Sequence, residues 1–470
     1  MGIPHVLAIP YTAQGHVLLL MELALCLVKS GIKVTFVNTE FDHKRVIESL
    51  SGEGNVPDMM HLVSIPDGLE SWDDRNDLGK LTKTIFRVMP AKLEALMEKI
   101  NESETDKITC LITDESMGWA LEIAKKMGVR AVAFWPAAAA VSALELNIPK
   151  LIHDGIIDSS GKTPFSIMLL QKQNGEIWLL QNRLKLSPTI LAMDSAHFVW
   201  ACIGDPTTQG IIFYVILKNI RTLKLADWII CNSSNELETS VFNSYPEMLP
   251  IGPLLSSNRL GKLVGSYGPK DLDCLVWLDK QPVQSVIYVA FGSITVFDQT
   301  QFQELALGLE RTNMPFLWVV RRNLTAETDN AYPKGFKERI QGRGRLSSWA
   351  PQQPVLSHPS VACFLGHCGW NSTVEGVSNG VPFLCWPYFA DQFTNRSYIC
   401  DDWKVGLGLE KDGNGIIAQG EVKNKIEQLV TVKGYKERAL DLKAKVMNSL
   451  REDGCSGKNF NNFVKWIKDD

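Results

Sequence analysis

VACFLGHCGWNSTVEGVSNGVPFLCWPYFADQ, residues 361–392, sets two apolar runs on either side of one helical stretch. VACFL (361–365) has the length of a buried strand. Asn371 or Ser372 is expected to open a helix over 372–379, Asn379-Gly380 closes it with a C-terminal glycine, and VPFLCWP (381–387) is the next strand. One short helical crossover makes the two strands parallel neighbours. The stretch therefore specifies an open α/β sheet, whose ligands bind beyond the carboxyl ends of its strands.

The turn between strand and helix carries His367, Cys368 and Gly369. Adjacent residues at a strand end point apart, and no second pair at zinc spacing follows, so neither a zinc site nor a Cys368–His367 nucleophile pair fits. An anion site does. Gly369 permits close backbone approach, and a helix N-terminus offers unpaired N–H groups with partial positive charge. Glu375 has two readings here: a ligand carboxylate, or the partner of Ser372 in a capping box. Asp391-Gln392 follows the second strand and falls at the same sheet edge as His367, as does Ser293 at the end of the run VIYVAFGS (286–293). Phosphate-binding amides beside a carboxylate and an amide suit a phosphorylated, hydroxyl-rich ligand.

The same alternation runs outward through most of the chain. QTQFQELALGLERT (299–312) reads as an amphipathic helix and PFLWVVRR (315–322) as a strand. In the first half, HVLAIP (5–10), KVTFVN (33–38), ITCLIT (108–113) and AVAFWP (131–136) are strands, with helices at 17–30 and 118–128. Prolines and glycines crowd 246–270. The expected layout is an N-terminal domain over 1–245, a linker over 246–270, a C-terminal domain over 271–450, and a terminal helix over 451–470. That helix places Phe460, Phe463, Val464 and Ile467 on one face, suited to packing back on a domain surface.

A length of 470 residues calls for two or three domains, and 45% hydrophobic with 21% charged residues is ordinary globular composition. A net charge of −4 without a long basic run argues against nucleic acid as a partner. Ten scattered cysteines form no Cys-x-x-Cys pair, which suits reduced thiols and the cytoplasm. The apolar run at 17–28 is too short for a membrane span and contains Glu22. Neither a signal peptide nor a myristoylation motif precedes it, so no membrane span is expected. Asp271-Leu272-Asp273 has the spacing of a cation-binding DxD, but its place before CLVWLDK (274–280) reads as helix capping. DGNGIIA (412–418) matches a dinucleotide glycine pattern without the strand–helix setting that would give it meaning.

From Trp349 to Gln392 the sequence resembles, nearly completely, the PSPG signature box of plant UDP-dependent glycosyltransferases of family 1. IPYTAQGH (9–16) and the two-domain layout extend the resemblance over most of the chain, and VSIPDGLE (63–70) with NFVKWIK (462–468) is similar to one plant subgroup. The resemblance implies the GT-B fold: α/β, two facing Rossmann-like doubly wound domains with their carboxyl edges closed on each other. It also implies that Trp349 stacks on uracil, that Ala350 and Gln352 lie at the nucleoside, and that Glu375 binds the ribose. His367, Asn371 and Ser372 would hold the diphosphate, Trp370, Asp391 and Gln392 would address the sugar, and Ser293 and Gly369 would belong to the same donor site. A glutamine at 392 is similar to the glucose users. The partners implied are a UDP-sugar and a small hydrophobic acceptor bearing a hydroxyl or carboxyl, with no metal, no cofactor and a monomeric chain.

Such a transfer needs a base for the acceptor hydroxyl. His16 follows strand 5–10 at the start of a helix whose positive end should hold the ring neutral, and Asp114 ends strand 108–113 at the same edge. Asp114 could take the other ring N–H, as in a triad, and the family resemblance gives the pair the same roles. Attack opposite the diphosphate would invert the anomeric centre. Three positions depart from the family pattern: Thr12 and Leu19, where proline is usual, and Gly366, where a hydroxyl residue is usual. AVAFWPAAAAV (131–141) is apolar enough to line the acceptor pocket, and the stretch 163–184 is longer than the family's spacing.

Overall fold

The computed structural model describes residues 3–50, 57–163, 178–180, 183–187, 189–255, 271–325 and 331–469. The chain forms two compact units. One comprises Met1–Tyr267, Phe389–Asp391 and Asn448–Asp470, the other Gly268–Tyr388 and Gln392–Met447.

The first unit is built on strands β1 (His5–Ile9), β2 (Lys33–Thr39), β3 (Met60–Ile65), β4 (Cys110–Asp114) and β5 (Arg130–Trp135). A separate antiparallel ribbon holds β6 (Trp178–Leu180), β7 (Arg183–Lys185) and β8 (Met193–Asp194), and the main sheet is completed by β9 (Trp228–Cys231) and β10 (Met248–Pro250). The order β10-β9-β5-β4-β1-β2-β3 is parallel throughout. Its central strands β1 and β4 are buried at every position because both faces are covered. Along β1, Val6 and Ala8 join the core beneath helix Gln14–Lys29, while Leu7 and Ile9 join the opposite core beneath helix Leu78–Asn101.

Helix Cys455–Lys468 returns to this unit. Phe463 and Ile467 enter the same core as Val6 and Leu23, and Asn459 donates to the Pro250 carbonyl at 2.9 Å. Arg130 donates to the carbonyls of Trp466, Ile467 and Asp469 at 2.7–2.9 Å, satisfying acceptors that a helix end leaves open. The linker expected over 246–270 thus begins with a strand of this sheet, since 248–250 pairs with β9. From 256 to 270 it lies outside the described residues, as does 163–184 for residues 164–177, 181 and 182.

The second unit carries β11 (Val286–Ala290), β12 (Phe316–Val319), β13 (Gly344–Ser347), β14 (Val361–Gly366), β15 (Phe383–Cys385) and β16 (Gly406–Gly408). Their order is β13-β12-β11-β14-β15-β16, again all parallel. Helices Gln299–Arg311 and Gln419–Thr431 cover one face over Ile287, Val289, Cys363 and Leu365. On the other, Tyr288 and Phe364 stack with centroids 5.1 Å apart. Strand β11 ends at Ala290, so Ser293 sits in the following turn rather than on the strand. The chain turns early there because Gly292 takes a left-handed φ of 65°, which an extended strand does not contain.

Sheet order locates the crevices. It reverses between β1 and β4 in the first unit and between β11 and β14 in the second, and such reversals leave a gap between the loops at the strands' carboxyl ends.

Candidate functional site

In the first unit the crevice holds His16 and Asp114. The helix begins at Gln14, not at 17, so His16 already lies in its first turn, with its N–H bonded to the Ala13 carbonyl at 2.9 Å. Asp114 is the last residue of β4, which pairs with β1. The two meet at 2.6 Å between His16 Nδ1 and Asp114 Oδ2, with Asp114 fully buried and His16 31% exposed. The other carboxylate oxygen accepts from the Ser116 N–H at 2.9 Å, which fixes its orientation. With Nδ1–H donating to the carboxylate, the lone pair of the neutral ring is on Nε2. Tyr11 packs edge-on against the ring, centroids 5.4 Å apart, and its hydroxyl is anchored to Thr82.

The expectation that the helix end keeps His16 neutral is corrected. Burial lowers its pKa, but the charge of Asp114 and the hydrogen bond to it outweigh that, and the net direction is upward. Desolvation is the largest single effect on the ring, but the Asp114 charge, the hydrogen bond to Asp114 and the charge of Asp391 all act upward and together exceed it. The departures nearby are accommodated. Thr12 donates to the buried Asp42 carboxylate at 2.5 Å, and Leu19 is buried in the core. Ala138–Val141 are buried too, and the Glu238 carboxylate accepts from the N–H groups of Ala139 and Ala140 at 2.8 and 2.9 Å.

The second unit presents the turn 366–369. Gly366 belongs to β14, where an added Cβ would stand 3.0 Å from the Ala290 carbonyl oxygen, so a larger residue would have to displace its neighbours. Helix Trp370–Asn379 starts directly after Gly369, two residues before the expected start at 372 and with Gly369 rather than Asn371 or Ser372 as its N-cap, and Gly380 ends it at φ 65°. Ser372 is therefore inside the helix and forms no capping box with Glu375. Instead, Gln352 Nε2 donates to Glu375 Oε2 at 2.7 Å and to Ser372 Oγ at 2.8 Å, and Gln353 Nε2 donates to Glu375 Oε1 at 3.1 Å. Burial raises the pKa of Glu375 against these two amide donors.

His367 lies between two glycines. A Cβ on Gly292 would come within 2.7 Å of its Nε2, and one on Gly369 within 2.6 Å. Its Nδ1 is buried and finds no hydrogen-bond partner. Burial, aided by the charge of Arg321 and opposed by the Ala290 carbonyl, pushes its pKa down to about 4. Arg321 is itself buried. It donates to the carbonyls of Gly292 and Thr295 and to Asn323, and burial lowers its pKa to about 10. A buried guanidinium behind the turn and a helix start within it give this edge the positive potential that favours an anionic ligand.

The remaining expected residues are distributed along this edge. Trp349 is half-buried, with its carbonyl receiving the Asp271 N–H at 2.9 Å, and Ala350 follows it, buried. The Trp370 ring is 3% exposed and tilted against Trp403, so its indole is core and its backbone amide is what it brings to the helix start. Asn371 is half-buried in the same turn. Gln392 is buried and accepts the Tyr388 N–H at 2.7 Å, while Asp391 groups with the first unit. Asp271 and Asp273 stand at a helix start, as expected: the helix Asp273–Leu278 has Leu272 at its N-cap and Asp273 in its first turn, and the Asp271 carboxylate accepts from the Asp273 N–H while pairing with Arg345 at 2.8 Å. Among the described residues no cluster of three or more acidic, histidine or cysteine ligands is arranged for a metal. Asp412 organises the turn at 412–416 through its own carboxylate.

Arg321, Gly292, Gln353 and Tyr11 escaped the sequence reading. Nothing in VVRR distinguishes buried Arg321 from exposed Arg322, whereas the glycine of FGS directly after a strand is a signal that could have found Gly292.

Two parallel sheets, one with an imidazole–carboxylate pair at its switch point and the other with a glycine turn opening a helix at its own, match the GT-B fold of solved UDP-sugar transferases. A family model described as UDP-glucoronosyl and UDP-glucosyl transferase matches residues 248–449. The chain is 46% identical to UDP-glycosyltransferase 83A1 of Arabidopsis thaliana, over 100% of its own length and 97% of the relative's. It is 34% identical to 7-deoxyloganetin glucosyltransferase of Gardenia jasminoides, over 99% and 97%. Among solved structures, a UDP-glucosyltransferase of Polygonum tinctorium capable of glucosylating indoxyl, in complex with 3,4-dichloroaniline, superposes with a TM-score of 0.81 at 26% identity, covering 100% of both chains. The chain belongs to the plant family of UDP-dependent glycosyltransferases, and it is a UDP-glycosyltransferase.

Proposed function

We propose that this enzyme moves glucose from UDP-glucose to a hydroxyl or carboxyl of a small hydrophobic acceptor, inverting the anomeric centre in a single displacement with His16 as general base. The observation that carries this reading is the 2.6 Å contact of His16 with buried Asp114 at the switch point of the first sheet. Nε2 takes the acceptor proton as the acceptor oxygen bonds to C1 and the C1–O bond to the diphosphate breaks. Asp114 holds the ring and stabilises the imidazolium. For a carboxylic acid already ionised at neutral pH, the proton step falls away and His16 only orients the nucleophile.

On the donor side, the amides after Gly369, the His367 N–H, Asn371 and Ser293 receive the diphosphate, with the charge of Arg321 behind the turn. Ser372 joins them through its place in the first helical turn. The Trp349 face takes the uracil, flanked by Ala350. Gln352 lies at the nucleoside and Glu375 at the ribose, and the two amides already bound to Glu375 set its orientation. Asp391, Gln392 and the Trp370 amide serve the sugar. Glucose as donor is supported by the glutamine at 392 and by the names of the relatives, two of which are glucosyltransferases.

The protein's own positive groups can balance the leaving charge, so the reading requires no metal or cofactor, and added chelator should leave turnover unchanged. A monomer in the cytoplasm is the setting its free cysteines suit; among the described residues no helix is long and apolar enough to cross a membrane. Incubation with UDP-glucose and a panel of phenols, terpenoid alcohols and carboxylic acids, read by mass spectrometry, tests the function. Acceptor-dependent UDP release with a glycoside product is expected. Epimerised nucleotide sugar, or binding without turnover, would overturn it. His16→Ala should abolish transfer to hydroxyls and leave UDP affinity unchanged.

A further inference from the structure

The His16 ring is tied at two adjacent places, at Cγ by its own chain and at Nδ1 by the 2.6 Å bond to Asp114. A ring so held can still rock about the line joining the two. Nε2 lies off that line, so rocking displaces the one atom that receives the acceptor proton. Proton transfer is steep in geometry, and a misplacement of about 1 Å can cost on the order of 10²-fold in rate. Something besides Asp114 has to set the plane of the ring.

Tyr11 is placed to do so. Its ring meets the imidazole with centroids 5.4 Å apart and planes at 60°, an edge contact that blocks rocking toward it. Its carbonyl accepts the Ala13 N–H at 2.8 Å, and the Ala13 carbonyl accepts the N–H groups of His16 and Val17 at 2.9 and 3.0 Å. The same residue thus shapes the turn from which His16 projects. Tyr11 is itself held at its far end, where its hydroxyl is bonded at 2.9 Å to that of Thr82, buried on helix Leu78–Asn101. That helix is fixed at its start, since the Asp77 carboxylate accepts the Lys80 N–H at 2.9 Å. Its Leu81 and Ile85 enter the core that also holds Ile9 of β1.

We propose that Tyr11 is a positioning residue for the His16 base and that Thr82 is its anchor, a claim that rests on the reading of His16 as base. Tyr11 acts through the imidazole, by fixing where Nε2 points. Its effect therefore belongs to the proton-transfer step. An acceptor hydroxyl, which must give up its proton, feels the loss of Tyr11 in full, and an acceptor already ionised feels less of it.

The test uses the full-length chain carrying Tyr11→Leu, Tyr11→Phe, Thr82→Val, or the last two together. Kinetics are read near neutral pH with the phenol and the carboxylic acid of the panel that turn over fastest. Tyr11→Leu should lower kcat for the phenol about ten-fold or more, with KM and UDP affinity unchanged, and lower kcat for the carboxylic acid at least about five-fold less. Tyr11→Phe keeps the ring edge and should recover most of the loss. It should fall short by the same factor as Thr82→Val, and the double variant should fall no further. Equal losses for the two acceptors, no recovery with phenylalanine, or additive losses in the double variant would overturn the proposal. Crystal structures of the native chain and Tyr11→Leu decide the positioning without turnover. The His16 ring should move or split into two conformers in the variant while Asp114 keeps its place, and an unmoved ring would overturn the proposal. A native chain that makes no glycoside, beside a variant whose ring has moved, would sink the general-base reading and leave the positioning by Tyr11 standing.

Discussion

With Asp114 in contact, the His16 ring holds its proton more tightly than an isolated histidine does. Below its raised pKa the ring is protonated and cannot accept a proton, so kcat/KM for a hydroxyl acceptor should fall on the acid side with a midpoint above about 6.5. Asp114→Asn should move that limb to lower pH and slow transfer about 10²–10⁴-fold, read from the pH–rate profile. Next to Asp114, buried Glu115 behaves in the opposite sense. Burial pushes its pKa up to about 8, with the Asp114 charge adding and the Ser142 hydrogen bond opposing. Its folded pKa exceeds the unfolded one, so its contribution favours the folded state least once pH has risen from the ordinary carboxylate range through about 8. Glu115→Gln should therefore stabilise the protein relative to the native chain at pH 9 and do so less at pH 6, measured as thermal midpoints. His16 and Asp114 were legible as residues because one follows a buried strand and the other ends one. The direction of the His16 shift was not, since it depends on which neighbour is closer, the helix end or the carboxylate.

Elements were read well where their pattern was long. Strands β1, β2, β4, β5, β11, β12, β14, β15 and the terminal helix are apolar runs or stripes that few other structures could bury. The flanking strands β3, β9, β10, β13 and β16 gave no such signal and were not read. Their ends were read less well: Ser293 left its strand because Gly292 turns the chain, and helix Trp370–Asn379 started early because Gly369 in extended geometry already serves as its N-cap. The Gly369 position also makes a prediction for the turn. Gly369→Ala places a methyl 2.6 Å from His367 Nε2, which forces the imidazole aside, and UDP affinity should drop about ten-fold or more in a calorimetric titration. For the terminal helix, Phe463→Ala leaves a cavity in the core shared with Val6 and Leu23. It should cost about 3–5 kcal/mol, seen as a lower urea midpoint of the first unit.

At the scale of the whole molecule, the chain visits the first unit at both ends, since 448–470 belongs with 1–267. Truncation after Met447 should destabilise the first unit, exposing the core that Phe463 and Ile467 cover, while UDP binding by the second unit persists at low temperature. Loss of both together in differential scanning and titration would count against that division. The sequence by itself determined the parallel α/β architecture, the family and the strand–turn–helix at 361–379, because burial periodicity and short motifs act over a few neighbours in the chain. Only the tertiary structure decided that Gln352 and Gln353 clasp Glu375, that Arg321 backs the turn, and that His16 is made more basic. Those outcomes depend on distances between residues far apart in sequence, and a charge or a hydrogen bond acts through distance in space.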